Sequence, residues 1–194
     1  LRRFEVLRPA STDTVAQQQF YDEAARVEKH LGMVFARFFA GRNRVELSVN
    51  ATPVQPWDPF LSGHPSVQRL PSERIPFDGH EVRVEAFVLP HPRRMDDAER
   101  EQAGGPAGWL DQQGFYVYRR NRLILAGDWL GLRNMRRDER YNLARIVIEV
   151  PAEADADWAI DVRKSTAVPP VAIRRHLRRI GKAARSRAAE VLSH

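Results

Sequence analysis

The chain contains no cysteine, so disulfide bonds and cysteine-built zinc sites are excluded. It also has no run of about 20 apolar residues that could cross a bilayer, and no signal peptide. Walker-type, Gly-x-Ser-x-Gly and dinucleotide-binding motifs are missing, and the six histidines show no metal-site spacing. These absences favour a cytoplasmic protein whose own residues include no recognisable catalytic machinery.

Lysine is scarce, because 28 of the 31 basic residues are arginines. The three lysines are Lys29, Lys164 and Lys182. The net charge of +6 is concentrated at one end of the chain. Residues 171–194 carry seven cations against the single acid Glu190, while the rest of the chain carries equal numbers of acids and bases. The basic character of the protein is therefore a property of its last segment.

At 194 residues and 43% hydrophobic content, the chain is long enough for one large domain with appendages. The first residue is Leu1 rather than Met, and Leu1–Arg8 has a strand-like pattern, so we expect a segment of a longer protein. Three parts are expected along the chain: a strand and long helix at 1–41, an α+β domain at 42–170, and a basic helix at 171–194.

Three helices are predicted. The capping-box pattern Thr14-x-x-Gln17 starts a long helix that runs to about Ala40, with Gly41 just past its end. Its apolar residues recur at helical spacing and predict one buried face: Phe20, Ala24, Val27, Leu31, Val34, Phe35 and Phe38. A short helix follows at Asp96–Gln102, ended by Gly104-Gly105. The last helix opens at Pro169-Pro170, and its buried stripe comprises Ile173, Leu177, Ile180, Ala184 and Val191.

Alternation and short apolar runs predict the strands. They are Arg44–Asn50, Ser72–Phe77, His80–Leu89, Phe115–Tyr118, Arg119–Leu125, Leu143–Val150 and Trp158–Arg163. Asp78-Gly79 predicts a tight hairpin turn, and a basic turn containing Asn121 predicts a second hairpin. A long helix, a mostly antiparallel sheet and a closing helix together give a mixed α+β fold.

Three segments resemble the second, transducer domain of the GHKL ATPases, a family that includes gyrase B, MutL and the histidine kinase-like and MORC proteins. The segments are Trp57–Phe60, Gln113–Leu125 and Ile160–Ser165, and the resemblance covers most of residues 40–170. It implies the ribosomal protein S-five domain-two-like fold. It also implies that ATP and Mg are held mainly by a preceding ATPase domain, whose first-helix Asn and glycine-rich lids do not occur in this sequence. An ATP-dependent homodimer is a further expectation.

Lys164 is the leading candidate site residue. On the predicted strand it is in phase with Trp158, Ile160 and Val162, and a lysine presents a compact charge suited to a terminal phosphate. In the family that it resembles, a lysine at this place contacts the γ-phosphate of ATP. The resemblance therefore assigns Lys164 a catalytic role and, with Ser165, a role in nucleotide binding. The alternative is a lysine that caps a strand end in solvent.

The last helix is a candidate nucleic-acid interface. Its predicted contacts are Arg174, Arg175, Arg178, Arg179, Lys182 and Arg185. About five phosphate contacts would give a log–log salt slope of roughly −4 to −5. No aromatic residues are interleaved with these cations, which argues against sequence reading. The alternative is an ordinary solvated face.

Two further segments are open to more than one interpretation. The Trp57–Phe60 segment could bind a ligand, or it could be a loop held on the sheet by its two aromatic residues. Asn121 suits a turn without any function, while Arg122 could bond within the domain or pair with Asp128. Three functions therefore compete: an ATPase transducer domain, a stand-alone DNA-binding or RNA-binding module, and an enzyme acting near Trp57–Phe60.

Overall fold

The computed structural model describes residues 14–40, 44–154, 157–161 and 166–194. The expected strand Leu1–Arg8 and the expected helix-ending Gly41 lie outside these residues. The chain divides into two compact units, residues 1–57 and residues 58–194. The three-part division at 41/42 and 170/171 stays a prediction.

The first unit contains helix α1, Thr14–Val34, a 3₁₀ turn at Ala36–Phe38, and two short antiparallel strands, β1 (Ser48–Val49) and β2 (Thr52–Pro53). Helix α1 is described from Thr14, so the predicted capping box is not tested, and it ends at Val34 rather than near Ala40. The cause is the backbone of Phe35, whose ψ of 11° leaves the helical range. The expected strand Arg44–Asn50 shrinks to β1, because Asn50 and Ala51 take positive φ and reverse the chain.

The predicted buried face of α1 is wrong for most of its length. Val34 is buried, but Val27 is 44% exposed and the other predicted face residues are only partly buried. The helix is covered near its end, where the segment after β2 passes very close. A Cβ on Gly32 would lie 2.3 Å from the carbonyl oxygen of Gln55, and the Gly32 carbonyl accepts a hydrogen bond from the Trp57 N–H at 3.1 Å. Glycine at position 32 is therefore required by this close approach.

The second unit is built on a six-stranded sheet. Its strands are β3 (Gln68–Arg69), β4 (Glu73–Phe77), β5 (His80–Val88), β6 (Gly114–Arg119), β7 (Arg122–Asp128) and β8 (Ala144–Val150). The order is β3-β5-β8-β6-β7, with β4 also paired to β5. All pairs are antiparallel except β6 with β8, which is parallel. The predicted mixed α+β class is confirmed.

Two tight turns close the hairpins of this sheet. Asp78 and Gly79 have φ of 44° and 74°, and Arg120 and Asn121 have φ of 46° and 64°. Two consecutive residues with positive φ match the twist of the flanking strands, as in type I′ turns. The Asp78-Gly79 and Asn121-containing turns are both confirmed. The predicted strand Arg119–Leu125 is shifted, because Arg120 and Asn121 form the turn itself.

Helix α3, Val171–Ser193, covers one face of the sheet. The predicted stripe is confirmed, since Ile173, Leu177, Ile180 and Ala184 are buried and Val191 packs against the core. The sheet side chains in this core cluster are Val82, Val84, Ala86, Val88, Phe115, Val117, Ala144, Ile146, Ile148 and Val150. Their two-residue spacing along each strand places them on a single face.

Helix α2, Asp97–Gly104, follows a 3₁₀ turn at Pro92–Arg94. Asp96 caps it: its side chain accepts from the Glu99 N–H at 2.8 Å, and Glu99 reciprocates at 2.9 Å. Gly105, with φ of 59°, ends the helix, so the prediction of a short helix closed by glycine is confirmed. Further 3₁₀ turns lie at Glu139–Tyr141 and Ala152–Ala154.

The predicted strand Trp158–Arg163 is wrong in its described part. Asp157–Ala159 forms a turn in which Ala159 has φ of 40°, and Asp161 makes only an isolated bridge with Thr166. A positive φ at Ala159 interrupts the extended backbone, so a two-residue alternation cannot start at Trp158.

Candidate functional site

Lys164 and Ser165, the residues expected to reach the nucleotide, lie outside the described residues. The chain on both sides of residues 162–165 is held by hydrogen bonds. The Asp161 N–H donates to the Thr166 carbonyl at 3.0 Å, and the Thr166 N–H donates back at 3.1 Å. The Val168 N–H donates to the carbonyl of Trp158 at 2.9 Å, and Trp158 is fully buried. These bonds form a short base anchored in the core, from which Lys164 is only two residues away.

The sequence pattern placed Lys164 in a strand whose alternate residues, starting at Trp158, are buried. The structure contradicts the first residues of this strand. Trp158 sits in a turn, and the positive φ of Ala159 separates it from Ile160 and Asp161. The γ-phosphate role of Lys164 therefore depends on the family resemblance and on the anchored flanks, and no longer on strand phase.

The turn of the β6–β7 hairpin favours a structural role for Asn121. Asn121 is exposed and has φ of 64°, a conformation that asparagine tolerates well. Of the two possibilities for Arg122, pairing with Asp128 is excluded, because these residues begin and end β7. Asp128 instead lies 3.8 Å from Arg137 and accepts a hydrogen bond from the Leu130 N–H.

The Trp57–Phe60 segment straddles the division between the two units, with Trp57 in the first and Asp58 in the second. Phe60 is buried on the sheet face opposite α3, with its ring centroid 5.1 Å from that of Phe87 and 5.2 Å from that of Tyr116. The Asp58 carboxylate accepts the N–H groups of Phe60 and Ser62 at 2.9 and 2.7 Å. Asp58 therefore holds the loop together, which favours the held-loop interpretation over a catalytic acid.

Beneath this loop lies a buried cation that the sequence did not reveal. The Arg145 guanidinium is fully buried and donates to the carbonyls of Asn142 at 2.6 Å, Ala144 at 3.1 Å and Ala103 at 3.0 Å. Desolvation lowers the pKa of Arg145 and raises that of the nearby buried Tyr116. Its bond to Ala103 ties the end of α2 to the sheet, so this arginine is a structural part of the core.

The side chains of Gln112, Gln113 and Tyr116, at and just before the start of β6, are buried and hydrogen-bonded to one another and to neighbouring segments. Tyr116 donates to the Gln112 carbonyl at 2.6 Å. The Gln113 side chain accepts from Trp129 Nε1 at 3.1 Å and donates to Asn142 at 2.9 Å. Both glutamines are buried. Their hydrogen bonds offset the cost of burying polar groups and link the sheet to the segment after β7.

Half of the six predicted cations on α3 bond within the protein. Arg174 Nε donates to the Pro169 carbonyl at 2.8 Å, and Arg179 forms an ion pair with Glu73, which raises the pKa of the arginine. Arg185 donates to the Asn134 carbonyl at 3.1 Å and lies 3.8 Å from the centroid of the Tyr141 ring. The other three, Arg175, Arg178 and Lys182, have no hydrogen-bond or ion-pair partner among the described residues.

A second group of arginines lies beside α3, in the segment Gly131–Tyr141 that follows β7. The sequence analysis missed it, although four arginines within these eleven residues were a visible signal: Arg133, Arg136, Arg137 and Arg140. Arg137 lies 3.4 Å from Asp111 and donates to the Gly127 carbonyl at 2.8 Å. Arg133 and Arg136 are exposed and without hydrogen-bond or ion-pair partners in the described part of the chain.

Asp138 and Arg140 form the best-defined ion pair of this segment. Two nitrogens of Arg140 donate to the Asp138 carboxylate at 2.9 and 2.7 Å, and its backbone N–H donates at 3.0 Å. These hydrogen bonds lower the pKa of Asp138 from 3.8 to about 2. Because the Asp138 carboxylate is paired with the Arg140 guanidinium, its negative charge repels an approaching anion only weakly.

Arg185 and Asn134 lie where two open clefts meet. One, of about 620 Å³, is lined by the segment 131–138 and Arg185. The other, of about 860 Å³, lies between α3 and residues 134–141 and includes Lys182, Arg140, Ser186 and Ser193. The helix and the neighbouring segment therefore present their cations on one connected surface.

Other site classes find no support in the described parts of the chain. These residues contain no group of three or more acidic, histidine or cysteine side chains that could hold a metal ion. None of the described helices is long and apolar enough to span a membrane. Comparisons with family models, curated proteins and solved structures find no match to this chain.

Proposed function

We propose that this chain is the transducer domain of a GHKL-type ATPase, with the ribosomal protein S-five domain-two-like fold that this role implies. Its task is to couple ATP binding and hydrolysis in a separate ATPase domain to a change in domain orientation. Support comes from three segments that resemble this family: Trp57–Phe60, Gln113–Leu125 and Ile160–Ser165. Within the described residues, Gln113–Leu125 forms most of the β6–β7 hairpin, and Asp161 of the third segment is hydrogen-bonded to Thr166.

The observation that carries the proposal is the paired bridge between Asp161 and Thr166. Its two hydrogen bonds, at 3.0 and 3.1 Å, close the chain on both sides of Lys164 within a few residues of the buried Trp158. This bridge supports the proposal because it holds the described flanks of Lys164 to each other, close to the buried core.

The chemistry assigned to this chain is limited. ATP and Mg are held mainly by the separate ATPase domain, and ATP supplies the phosphate whose loss ends the contact. Lys164 places one compact positive charge beside the terminal phosphate, with Ser165 next to it as a hydroxyl donor. The contact exists in the ATP state and is lost after hydrolysis, and this difference in binding free energy is what shifts the orientation. ATP-dependent dimerisation of the ATPase domain would turn that shift into relative motion of two copies.

The test uses the protein that contains this chain together with its ATP-binding domain. Steady-state ATP turnover with magnesium is measured for the wild type, Lys164→Ala and Arg163→Ala. We expect Lys164→Ala to lower turnover at least tenfold, which corresponds to about 1.4 kcal/mol of lost transition-state stabilisation, while Arg163→Ala changes little. The neighbouring substitution is a matched control because it removes the same charge from the same segment.

Three results would overturn the proposal. Equal and normal rates in both variants would remove Lys164 from the mechanism. An intact parent protein without ATPase activity would remove the ATPase role altogether. Turnover by the isolated chain would also contradict it, since the residues expected to hold ATP belong to another domain.

A further inference from the structure

The basic surface of the second unit is made by two elements in direct contact. A Cβ placed on Gly181 of α3 would lie 2.7 Å from Cε of Met135, so the helix and the segment 131–141 touch there. Arg185 reinforces the contact by donating to the Asn134 carbonyl and stacking over Tyr141. The cations of both elements therefore keep a defined spacing.

The basic residues of α3 and of the segment 131–141 fall into two groups according to whether they bond within the protein. One group is bonded within the protein and includes Arg137, Arg140, Arg174, Arg179, Arg185 and Arg187. The other group has no hydrogen-bond or ion-pair partner among the described residues and comprises Arg133, Arg136, Arg175, Arg178 and Lys182. We call this second group the open cations, because their charges remain available to a ligand.

The open cations of α3 share one side of the helix. Arg175, Arg178 and Lys182 are spaced three and four residues apart, so they follow one another along a stripe about 10 Å long. Lys182 lies in the cleft that reaches Asn134, and Arg133 and Arg136 line the adjoining cleft. The stripe and the segment after β7 thus form one basic surface.

Nearby acids do not cancel this surface. Asp138 is held by three hydrogen bonds from Arg140. Glu190 accepts from Arg187 at 2.7 Å. The ion pair of Arg179 with Glu73 lies on the side of α3 that faces β4. Glu139 is exposed and has no ion-pair partner among the described residues, so the five open cations face one unpaired acid on this surface.

The chemistry of the surface selects among polyanions. Protein interfaces usually have a buried aromatic or aliphatic anchor, but the large exposed hydrophobic residues of the described chain all lie outside residues 131–141 and 175–185. Tyr141, the aromatic residue of these ranges, is half-buried and is covered by the Arg185 guanidinium, so it is a poor stacking platform for the bases of a single strand. A membrane-surface helix needs an exposed apolar face, whereas the apolar stripe of α3 is packed into the core.

We propose that the five open cations on α3 and the segment 131–141 bind the phosphate backbone of double-stranded DNA without reading its sequence. Arginine forks and a lysine charge suit phosphate oxygens, and contacts to phosphates position a protein on a duplex without specifying bases. This surface uses no residue of the nucleotide site, so it extends beyond the transducer role and is independent of it. It also revises the predicted interface, removing Arg174, Arg179 and Arg185 and adding Arg133 and Arg136.

The test measures binding of the full chain to a short fluorescein-labelled duplex of random sequence, by anisotropy over a range of salt concentrations and without nucleotide. Five phosphate contacts give a log–log salt slope of about −4 to −5. We expect each of two double variants, Arg133→Ala/Arg136→Ala and Arg178→Ala/Lys182→Ala, to make the slope shallower by about 2 and to weaken binding at least tenfold at low salt. Arg133, Arg136 and Lys182 are exposed and Arg178 is half-buried, and circular dichroism checks that the variants are folded.

The matched control is Arg174→Ala/Arg179→Ala, which removes the same charge from the same helix but from bonded positions and leaves the Arg187–Glu190 pair intact. We expect its slope to stay near that of the wild type. An equal loss in this control would show that only net charge matters and would overturn the proposed surface. An unchanged slope in Arg133→Ala/Arg136→Ala would remove the segment 131–141 from it.

Three further outcomes would also overturn the proposal. They are the absence of binding at the lowest salt, tighter binding to a single strand of the same length, and competition by polyglutamate as effective as by duplex DNA. Lys164→Ala provides the link to the ATPase role. It should leave duplex binding unchanged, so failure of one proposal is distinguishable from failure of the other.

Discussion

Two helices of nearly equal length, α1 with 21 residues and α3 with 23, differ in what covers their apolar side chains. Helix α3 buries six residues against the sheet, including Leu177 and Ala184. Helix α1 buries only Gly32 and Val34 within its own unit, and it leaves Val15, Tyr21 and Val27 exposed. Helical spacing of apolar residues therefore identifies a helix in both cases, but it reveals nothing about the surface that the helix meets.

The same contrast extends to the units that hold these helices. The second unit buries Gln112, Gln113 and Arg145 and supplies most of the bonds they need. In the described residues of the first unit, no charged or polar side chain is buried. The second unit therefore has a core that satisfies buried polar groups, whereas the described residues of α1 bury few side chains.

The largest expected effect tests the two helices directly. Leu177→Ala should lower the free energy of unfolding of the second unit by about 2–5 kcal/mol, because Leu177 is completely buried and the cavity left behind adds to the lost transfer free energy. Val27→Ala on the exposed side of α1 should change stability by less than about 0.5 kcal/mol. Urea unfolding of both variants measures the difference. Equal losses would show that Val27 is covered and would remove the contrast.

A second test concerns the buried cation of the second unit. Arg145→Ala should destabilise this unit by about 2–3 kcal/mol, because three carbonyl groups lose a charged donor in the interior. The exposed Arg83→Ala on β5 serves as control and should have little effect. Hydrogen exchange of the α2 amides localises the change, since Arg145 ties the end of that helix to the sheet. An Arg145→Ala protein as stable as the wild type would show that these carbonyls find other donors.

A third test uses one glycine from each helix. Gly32→Ala should destabilise the first unit by about 1–3 kcal/mol, because its Cβ would meet the rigid backbone oxygen of Gln55 at 2.3 Å. At Gly181 the Cβ would meet the flexible end of Met135 at 2.7 Å. The gain in helix propensity, about 1 kcal/mol, offsets the repacking there, so Gly181→Ala should be near neutral. Hydrogen exchange in α1 and α3 reports each unit separately, and a larger loss at Gly181 would contradict this expectation.

The smallest expected effect is a pH dependence in the turn against which α3 packs. The folded state holds the pKa of Asp138 at about 2 rather than 3.8. Its contribution to stability is therefore fully present above about pH 3.8 and is lost as pH falls through about 2. Asp138→Asn should be less stable than the wild type at neutral pH, and the gap should close over that acid range. Urea unfolding at several pH values measures the gap, and a gap that persists at the lowest pH would remove Asp138 as its source.

The hairpins were predictable because their signals are local. Asp78-Gly79 and Arg120-Asn121 each place two residues with positive φ at a turn, and residues that tolerate this conformation are visible in the sequence. The stripe of α3 was predictable for the same reason, since spacing alone fixes which side chains share a face. The mixed α+β class follows from the order of these elements along the chain.

Other features depended on parts of the chain far apart in sequence. The strand predicted at Trp158 is a turn, because a single positive φ at Ala159 overrides the apolar pattern. Arg145 looked like an ordinary residue of β8, yet its guanidinium reaches the carbonyl of Ala103, 42 residues away. The family resemblance singled out Lys164, which lies outside the described residues, and its role stays a prediction.

The sequence by itself determined the tight turns, the buried stripe of α3 and the sign and place of the net charge, because these depend on residue type and short-range spacing. Only the tertiary structure decided which cations remain open. Arg178 and Arg179 are adjacent in the chain, but Arg178 has no hydrogen-bond or ion-pair partner among the described residues, while Arg179 forms an ion pair with Glu73 of β4. Packing of α3 on the sheet sets which side of the helix faces which neighbour, and that orientation separates a structural arginine from one available to a ligand.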